Sequence, residues 1–321
     1  MWTFSTDKQT GISVRDVAIS TAKGGNAVTI IQLTDMHLNY CTDADLQNPT
    51  LKSTWENRNW LRISREGDEY KSKSLKNLKS CLDFVDNERP SQLIVTGDIL
   101  DYLSDGSFEF ANEYIFSPFP HALACLGNHE VYQRMQGEVE ETVSFGERMD
   151  ILKKHWICDI SYVSRVLADK VMVVVMDNAS AGGFGAFTDD QFEKLTNDIA
   201  TAREKNYAIL LFYHIPLATE NQKYTEAHAE PFVKGDRCTE VWNFETRGIH
   251  SDSSNPSTKK VYELITSSAD VIKAAFCGHK HNDYYTEIIA TDINRAKTTI
   301  PQYILIGTPY GTGNALRITV N

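Results

Sequence analysis

Short apolar runs, several rich in β-branched residues, recur along the chain and predict strands at 28–33, 92–96, 121–126, 171–176, 208–213, 271–277 and 303–306. Helical spacing takes over between some of them. Leu75, Leu78, Leu82 and Val85 recur every three or four positions, and Pro90 stands where that helix should have ended. Phe192, Leu195, Ile199 and Ala202 repeat in the same way behind Thr188 and Gln191, which have the spacing of a capping box. A third helix is predicted over 258–267. The runs 162–166 and 170–175 flank a short polar turn, the pattern of a hairpin. Strands mixed and partly alternating with helices predict an α/β fold with a mixed sheet. Two stretches lack clear periodicity. One, about 38–69, carries Trp55, Arg58, Trp60, Arg62 and Arg65; the other, about 217–257, carries Tyr224, His228, Phe232, Trp242, Phe244 and His250. Excursions this long inside a compact fold tend to be functional. We read 1–321 as a single domain in which both serve as lid or pocket elements.

Composition narrows the class without naming a function. The 321 residues are 41% hydrophobic and 23% charged, ordinary values for a well-cored globule. Acidic residues outnumber basic ones, 43 to 32, for a net charge of −11, which argues against non-specific binding to nucleic acid or anionic membrane. No apolar run approaches the ~18–20 residues of a membrane span. The polar start, Met1 to Thr10, lacks the apolar stretch of a signal peptide, so the expected compartment is the cytoplasm. The six cysteines, at 41, 81, 125, 158, 238 and 277, form no zinc-ribbon or thioredoxin-type pair. Cys125 and Cys277 in apolar runs and Cys81 on a predicted helix read as free buried thiols, in keeping with a reducing compartment, although the even count leaves disulfides open.

The chemistry lies where the predicted strands end. The run ending at Leu33 leads into Thr34-Asp35-Met36-His37, and the run ending at Thr96 into Gly97-Asp98-Ile99-Leu100-Asp101. Leu126 is followed by Gly127-Asn128-His129-Glu130, the run 208–213 delivers His214, and Cys277 precedes Gly278-His279-Lys280-His281. In open α/β sheets ligands bind at the carboxyl ends of strands. Asp35 and His37, like His279 and His281, are two apart and would point the same way from extended backbone. Gly97, Gly127 and Gly278 would let the chain turn sharply there. Each piece alone is ordinary: Asp-x-His arises by chance, Gly-Asp is a common turn, and His214 by itself is as readily a core histidine. Their recurrence in one structural context is the signal. Oxygen and imidazole donors without thiolate suit Mn, Fe, Zn or Co and do not suit a structural Cys-rich zinc. A carboxylate can bridge two ions ~3.5–4 Å apart, and such ions lower the pKa of a bound water from about 15.7 towards ~7.

The order Asp-x-His, Gly-Asp-x-x-Asp, Gly-Asn-His-Glu, His, Gly-His-x-His, running from Asp35 to His281, resembles the calcineurin-like metallophosphoesterase superfamily. The resemblance implies two mixed β-sheets packed as a sandwich flanked by helices, with 303–306 and 315–320 among the last strands. It implies one ion held by Asp35, His37, Asp98 and His281, and another held by Asp98, Asn128, His214 and His279, with Asp98 bridging. His129 would stand near the scissile ester, stabilising the transition state or protonating the leaving oxygen. Asp101 would hydrogen-bond His129, raising its pKa and fixing its orientation. The implied reaction is in-line attack of metal-bound hydroxide on the phosphorus of a small phosphodiester or phosphomonoester, with Mn, Fe or Zn as cofactor.

Departures from subfamily patterns narrow this further. Purple acid phosphatases place a metal-binding tyrosine where Asp101 stands, and Tyr102 is one residue out of register. Serine/threonine protein phosphatases continue from the second aspartate with Arg-Gly and carry an arginine before Gly-Asn-His-Glu; here Tyr102-Leu103 and Leu126 occupy those places. A nuclease would be expected to carry a basic stripe, and none is evident. Small phosphoesters remain, the substrates of cyclic-nucleotide and glycerophosphodiester enzymes among them. Trp55, Trp60, Tyr224, Trp242 or Phe244 would stack on such a substrate, and Arg58, Arg62, Arg237 or Arg247 would contact phosphate. The plainer alternative is that the aromatics pack the excursions down and the arginines are solvated. His121, His155, His228 and His250 have no motif around them. Asn178 heads a glycosylation triplet but directly follows a core strand, so Asp177-Asn178 reads as a strand end shaping the floor of the site. The rival from another class is a non-catalytic scaffold that keeps the fold; the complete donor set and His129 tell against it.

Overall fold

The computed structural model describes residues 2–21, 27–67, 69–136, 139–142, 150–152, 154–155, 161–179, 185–217, 225–226, 249 and 255–321. Two mixed sheets carry the architecture. The first is built from β1 (Thr3–Thr6), β2 (Ser13–Ile19), β3 (Val28–Leu33), β4 (Gln92–Thr96), β5 (Leu123–Cys125) and β15 (Asn314–Val320), in the order β1-β2-β15-β3-β4-β5. A two-stranded hairpin, β6 (Tyr132–Gln136) with β7 (Val139–Thr142), stands apart. The second sheet contains β8 (Tyr162–Leu167), β9 (Val171–Met176), β10 (Ala208–Phe212), β11 (Thr225–Glu226), β12 (Ile272–Cys277), β13 (Tyr284–Thr291) and β14 (Lys297–Ile304), in the order β11-β13-β14-β12-β10-β9-β8. Within the first sheet β3, β4 and β5 run parallel, and within the second so do β9, β10, β12 and β14.

The apolar runs are continuous because the central strands are buried on both faces. Val171, Val173 and Val175 of β9 point into the layer between the sheets, against residues such as Ile30, Ile94 and Leu316. Met172, Val174 and Met176 point outward beneath α4 (Asp189–Lys205) and α5 (Pro256–Thr266). In β3, Val28 and Ile30 face inward, whereas Ile31 and Leu33 face α2 (Tyr70–Glu88) and α3 (Asp105–Ala111). Local signals hold at the helix ends. Gln191 N–H donates to Thr188 Oγ1 at 3.2 Å and Thr188 N–H to Gln191 Oε1 at 2.9 Å, closing the capping box of α4. α2 stops with Arg89 in left-handed backbone, φ 46°, just before Pro90. β8 and β9 form the expected antiparallel hairpin.

One expectation is corrected here. The aperiodic stretch 38–69 contains an 18-residue helix, α1 (Pro49–Glu66), capped by the Asn48 side chain with proline in its first turn. Its inward positions Thr54 and Arg58, four apart on one face, are polar, so no apolar stripe announced it. Most of the second aperiodic stretch, 217–257, lies outside the described residues. Cys81, Cys125 and Cys277 are buried free thiols and Cys41 is a half-buried one; Cys158 and Cys238 lie outside the described residues. Among the described residues no helix is long and apolar enough to cross a membrane.

Candidate metal centre

Parallel pairing within each sheet sets the carboxyl ends of its central strands along one edge, and the two edges meet. Gln32, fully buried between the sheets, donates to Thr96 Oγ1 at 2.7 Å and across to the Cys277 carbonyl at 3.1 Å. Above this tie the loops interlock through their backbones. Asp35 N–H donates to Gly97 O at 3.0 Å, His37 N–H to Asp98 O at 2.9 Å, and Gly278 N–H to His214 O at 3.1 Å. Asp35 Oδ2 accepts from His279 N–H at 2.9 Å and from Thr34 Oγ1 at 2.7 Å. Gly97, at φ +81°, is packed so closely that a Cβ there would lie 2.6 Å from Gly127 N. A Cβ on Gly127 would fall inside the Asp98 carboxylate.

Side chains from these loops converge into overlapping groups. Asp35, His37, Asp98 and His281 form one, Asp98, His214 and His279 a second, and His37, Asp101 and His129 a third. In the first, His37 Nε2 and His281 Nε2 are 2.9 Å apart, and His281 Nε2 is 3.2 Å from Asp35 Oδ1. In the second, Asn128 Oδ1 lies 3.2 Å from His214 Nε2 and 2.9 Å from His279 Nδ1. Asp98 Oδ2 is 3.8 Å from His37 Nε2 and 3.3 Å from His214 Nε2, so one carboxylate serves both groups. All nine residues singled out from the sequence thus meet in one region, at least 92% buried apart from the rims of His129 and His281.

They do not meet by the route expected. Extended backbone was to align Asp35 with His37 and His279 with His281. Instead all four, and Asp98, sit in left-handed backbone: φ 49°, 48°, 73°, 54° and 48° respectively. Such conformations cost side-chain-bearing residues of order 1–3 kcal/mol each and persist only where surrounding bonds over-determine them.

The fields in the centre are strong. Burial opposes ionisation of Asp98, but the His214 and His129 rings outweigh it and hold its carboxyl well below the usual range. Burial likewise opposes the His214 imidazolium, yet Asp98 pushes its pKa up to about 10. His129 is also raised, with burial overcome by Asp98 and Asp101. Burial and the neighbouring His214 push His279 well below the ordinary value.

The sequence model of one family matches residues 28–283, from β3 through all five motif loops. The chain belongs to the calcineurin-like phosphoesterase family. No curated protein matches it by sequence. Among solved structures, a dimetal phosphatase from Danio rerio is 14% identical, with 87% of each chain covered and a TM-score of 0.45. Purple acid phosphatase PPD1 from yellow lupin is 10% identical over 95% of this chain, which spans 46% of that longer one, with a TM-score of 0.45. A calcineurin-like phosphoesterase from Bacillus subtilis is 13% identical over 81% of this chain and 74% of that one, with a TM-score of 0.38.

Several supports of this candidate centre escaped the sequence reading. Glu130, fully buried, accepts backbone N–H bonds from Gly127 at 2.6 Å, Asp98 at 3.1 Å and Leu100 at 2.7 Å, tying two motif loops together. Burial and Asp98 push its pKa up to about 7. Its place in Gly-Asn-His-Glu was legible, but not this role. Tyr310 Oη lies 3.3 Å from His281 Nδ1, and nothing around Tyr310 in sequence marked it. Asn178, read from the sequence as part of a strand end shaping the floor of the site, is fully buried and brackets the backbone after His214, donating to Ile215 O at 2.7 Å and accepting from Ile215 N–H at 2.9 Å.

The remaining residues singled out from the sequence are placed as follows. Arg58 does not await phosphate: it is buried against Asp101, Nε donating to Oδ2 at 2.7 Å and Nη2 to Oδ1. Trp60 is 70% exposed and Trp55 lies under the Lys71 ammonium at 4.7 Å. Tyr102 turns its hydroxyl to Asn39 Oδ1 at 2.8 Å. His155 packs on Phe108 and faces Asp105 at 3.2 Å, while His121 is exposed. The Arg62 and Arg65 side chains, and Tyr224, His228, Arg237, Trp242, Phe244, Arg247 and His250, lie outside what the structure describes.

Proposed function

We propose that the chain is a dinuclear-metal phosphoester hydrolase acting on small phosphodiesters or phosphomonoesters. One observation carries this reading: the Asp98 carboxylate stands between two buried donor groups, 3.8 Å from His37 Nε2 and 3.3 Å from His214 Nε2. The donor chemistry fits cations. His214 Nδ1 lies 2.8 Å from the Thr96 carbonyl, an acceptor only, so Nδ1 keeps a proton, and a cation that displaced the Nε2 proton would meet a lone pair there. That lone pair faces two further oxygen acceptors, Asp98 Oδ2 and Asn128 Oδ1. Acceptors converging on acceptors in a buried space call for a proton or a cation between them. Asp35, His37, Asp98 and His281 would hold one ion, and Asp98, Asn128, His214 and His279 the other. Nitrogen and oxygen donors without thiolate suit Mn, Fe or Zn.

Bound ions of this kind supply Lewis acidity and lower the pKa of water, which provides the nucleophile at neutral pH. The chain's own residues do the rest. His129 Nδ1 is 2.9 Å from the Asp101 carbonyl and 3.2 Å from its Oδ1, so the ring is anchored on that side. Its Nε2, 4.0 Å from Asp98 Oδ2, faces the centre and would donate a proton to the leaving oxygen or compensate charge on a non-bridging one. The test is loading with Mn, Fe or Zn followed by assay on bis-p-nitrophenyl phosphate and p-nitrophenyl phosphate. Turnover of at least one is expected, and its preference sets diester against monoester. No turnover of either ester with any of these metals would return the chain to the class of binding scaffolds.

A further inference from the structure

Asp101 belongs to neither donor group around Asp98, yet it touches the centre twice. Its Oδ1 lies 3.3 Å from His37 Nδ1 and 3.2 Å from His129 Nδ1, so one oxygen faces the back of both rings. An aspartate carboxylate turns easily about its last torsion, which is broad rather than staggered. Here it is gripped. The Arg58 guanidinium meets it edge on, Nε on Oδ2 and Nη2 on Oδ1. Two parallel N–H donors fix the plane of a carboxylate as well as its position, which a point charge such as lysine does not do.

Arg58 comes from α1, outside every motif loop. The next residue on the same helix makes a separate latch: Asn39 Nδ2 donates to Asn59 Oδ1 at 3.3 Å, and Tyr102 Oη donates to Asn39 Oδ1 at 2.8 Å. These hydrogen bonds join α1 to the loop after β3 without involving Asp101. The helix is therefore held at two adjacent residues, and only one of them bears on the histidines.

We infer that Arg58 is a positioning residue: by fixing the plane of Asp101 it sets the orientation of His37 and His129 together. This couples a helix with no motif to a proposed metal donor and to the proposed proton donor, and it rests on the hydrolase reading above. The competing role is simple anchoring of α1, and the neighbouring latch separates the two. If anchoring were all that mattered, loss of either latch would disturb the centre alike.

The experiment compares Arg58→Lys, which keeps the charge but not the fork, with Asn59→Ala, both in the full chain. Imidazole nitrogen–proton NMR of the metal-stripped proteins reads ring placement. Calorimetric titration with Mn reads the ion sites, and kcat and KM on the better nitrophenyl ester read catalysis. Arg58→Lys should shift the Nδ1 resonances of both His37 and His129. It should weaken Mn at one site about 10–100-fold, the range typical of lost supporting contacts, and lower kcat with little change in KM. Asn59→Ala should leave all three at wild-type values. Wild-type resonances and Mn affinities in a folded Arg58→Lys protein would overturn the inference, as would equal losses in Asn59→Ala. Removing one partner of a buried pair can prevent folding; should Arg58→Lys not fold, Arg58→Gln is measured in the same way, with the same expected losses and the same overturning result. A wild-type chain that binds no Mn and turns over neither ester defeats the hydrolase reading, while the NMR comparison still decides the role of Arg58.

Discussion

The loops after β3, β4, β5, β10 and β12 and the helix α1 deliver side chains to the same buried space by opposite means. The loops are irregular, and those after β3, β4 and β12 are strained. Asp35, His37, Asp98, His279 and His281 are held in left-handed backbone by bonds between loops, such as His37 N–H to Asp98 O at 2.9 Å. α1 is regular, capped by Asn48, and spends one polar face on burying Thr54 and Arg58. The contrast separates two tasks. Converging donors from several strands needs backbone that turns within a residue, whereas orienting a carboxylate needs only one long side chain from a relaxed element. Strain is concentrated where atoms must share a point, and is absent where a fork can reach in from a distance.

The largest effect should come from the residue on which the loops converge. Asp98→Ala should lose at least one ion per chain and about three orders of magnitude or more in kcat. Metal analysis and assay of the same preparation check this. A variant that retains both ions at near-normal rate would detach Asp98 from the centre. His129→Ala should lower kcat by roughly 10²–10⁴-fold, the range of a lost proton donor, with metal content unchanged. Loss of metal in that variant would instead make His129 a donor and redraw the loop side of the comparison.

A smaller effect concerns stability in the metal-stripped protein. The folded pKa of His214, about 10, lies above the ordinary 6.5. Stability from its imidazolium is therefore fully present below 6.5 and is lost as pH rises through about 10. The Tm of stripped protein should fall across that window, and His214→Gln should flatten the fall. An unchanged slope in that variant would assign the proton elsewhere. The smallest effect belongs to the outer face of α1. Trp60→Ala, at a position 70% exposed, should change stability by no more than about 0.5 kcal/mol and leave kcat/KM unaltered. A large rise in KM would make this face part of the substrate path and narrow the contrast between helix and loops.

What could be read from the sequence follows the same division. Central strands such as β9 are apolar on both faces, so their limits at Val171 and Met176 are legible as a continuous run. The donors are legible because each follows such a run, and their order carries the family resemblance. α1 was not, since its buried face is polar and hydrophobic spacing is the signal that reveals a helix. β13 was missed although its inward residues alternate, Tyr284, Thr286, Ile288 and Ala290; a threonine in the inward set and apolar Ile289 facing outward blur the pattern. The Arg58–Asp101 and Tyr310–His281 contacts join residues 43 and 29 positions apart with no shared motif. Only the fold brings them together.

The convergence on Asp98 is tested most directly by anomalous X-ray scattering from crystals of the chain grown with Mn. Two anomalous peaks are expected, ~3.5–4 Å apart, one against Asp35, His37 and His281 and the other against Asn128, His214 and His279, with Asp98 between them. A single peak, or peaks away from Asp98, would contradict a shared two-ion centre.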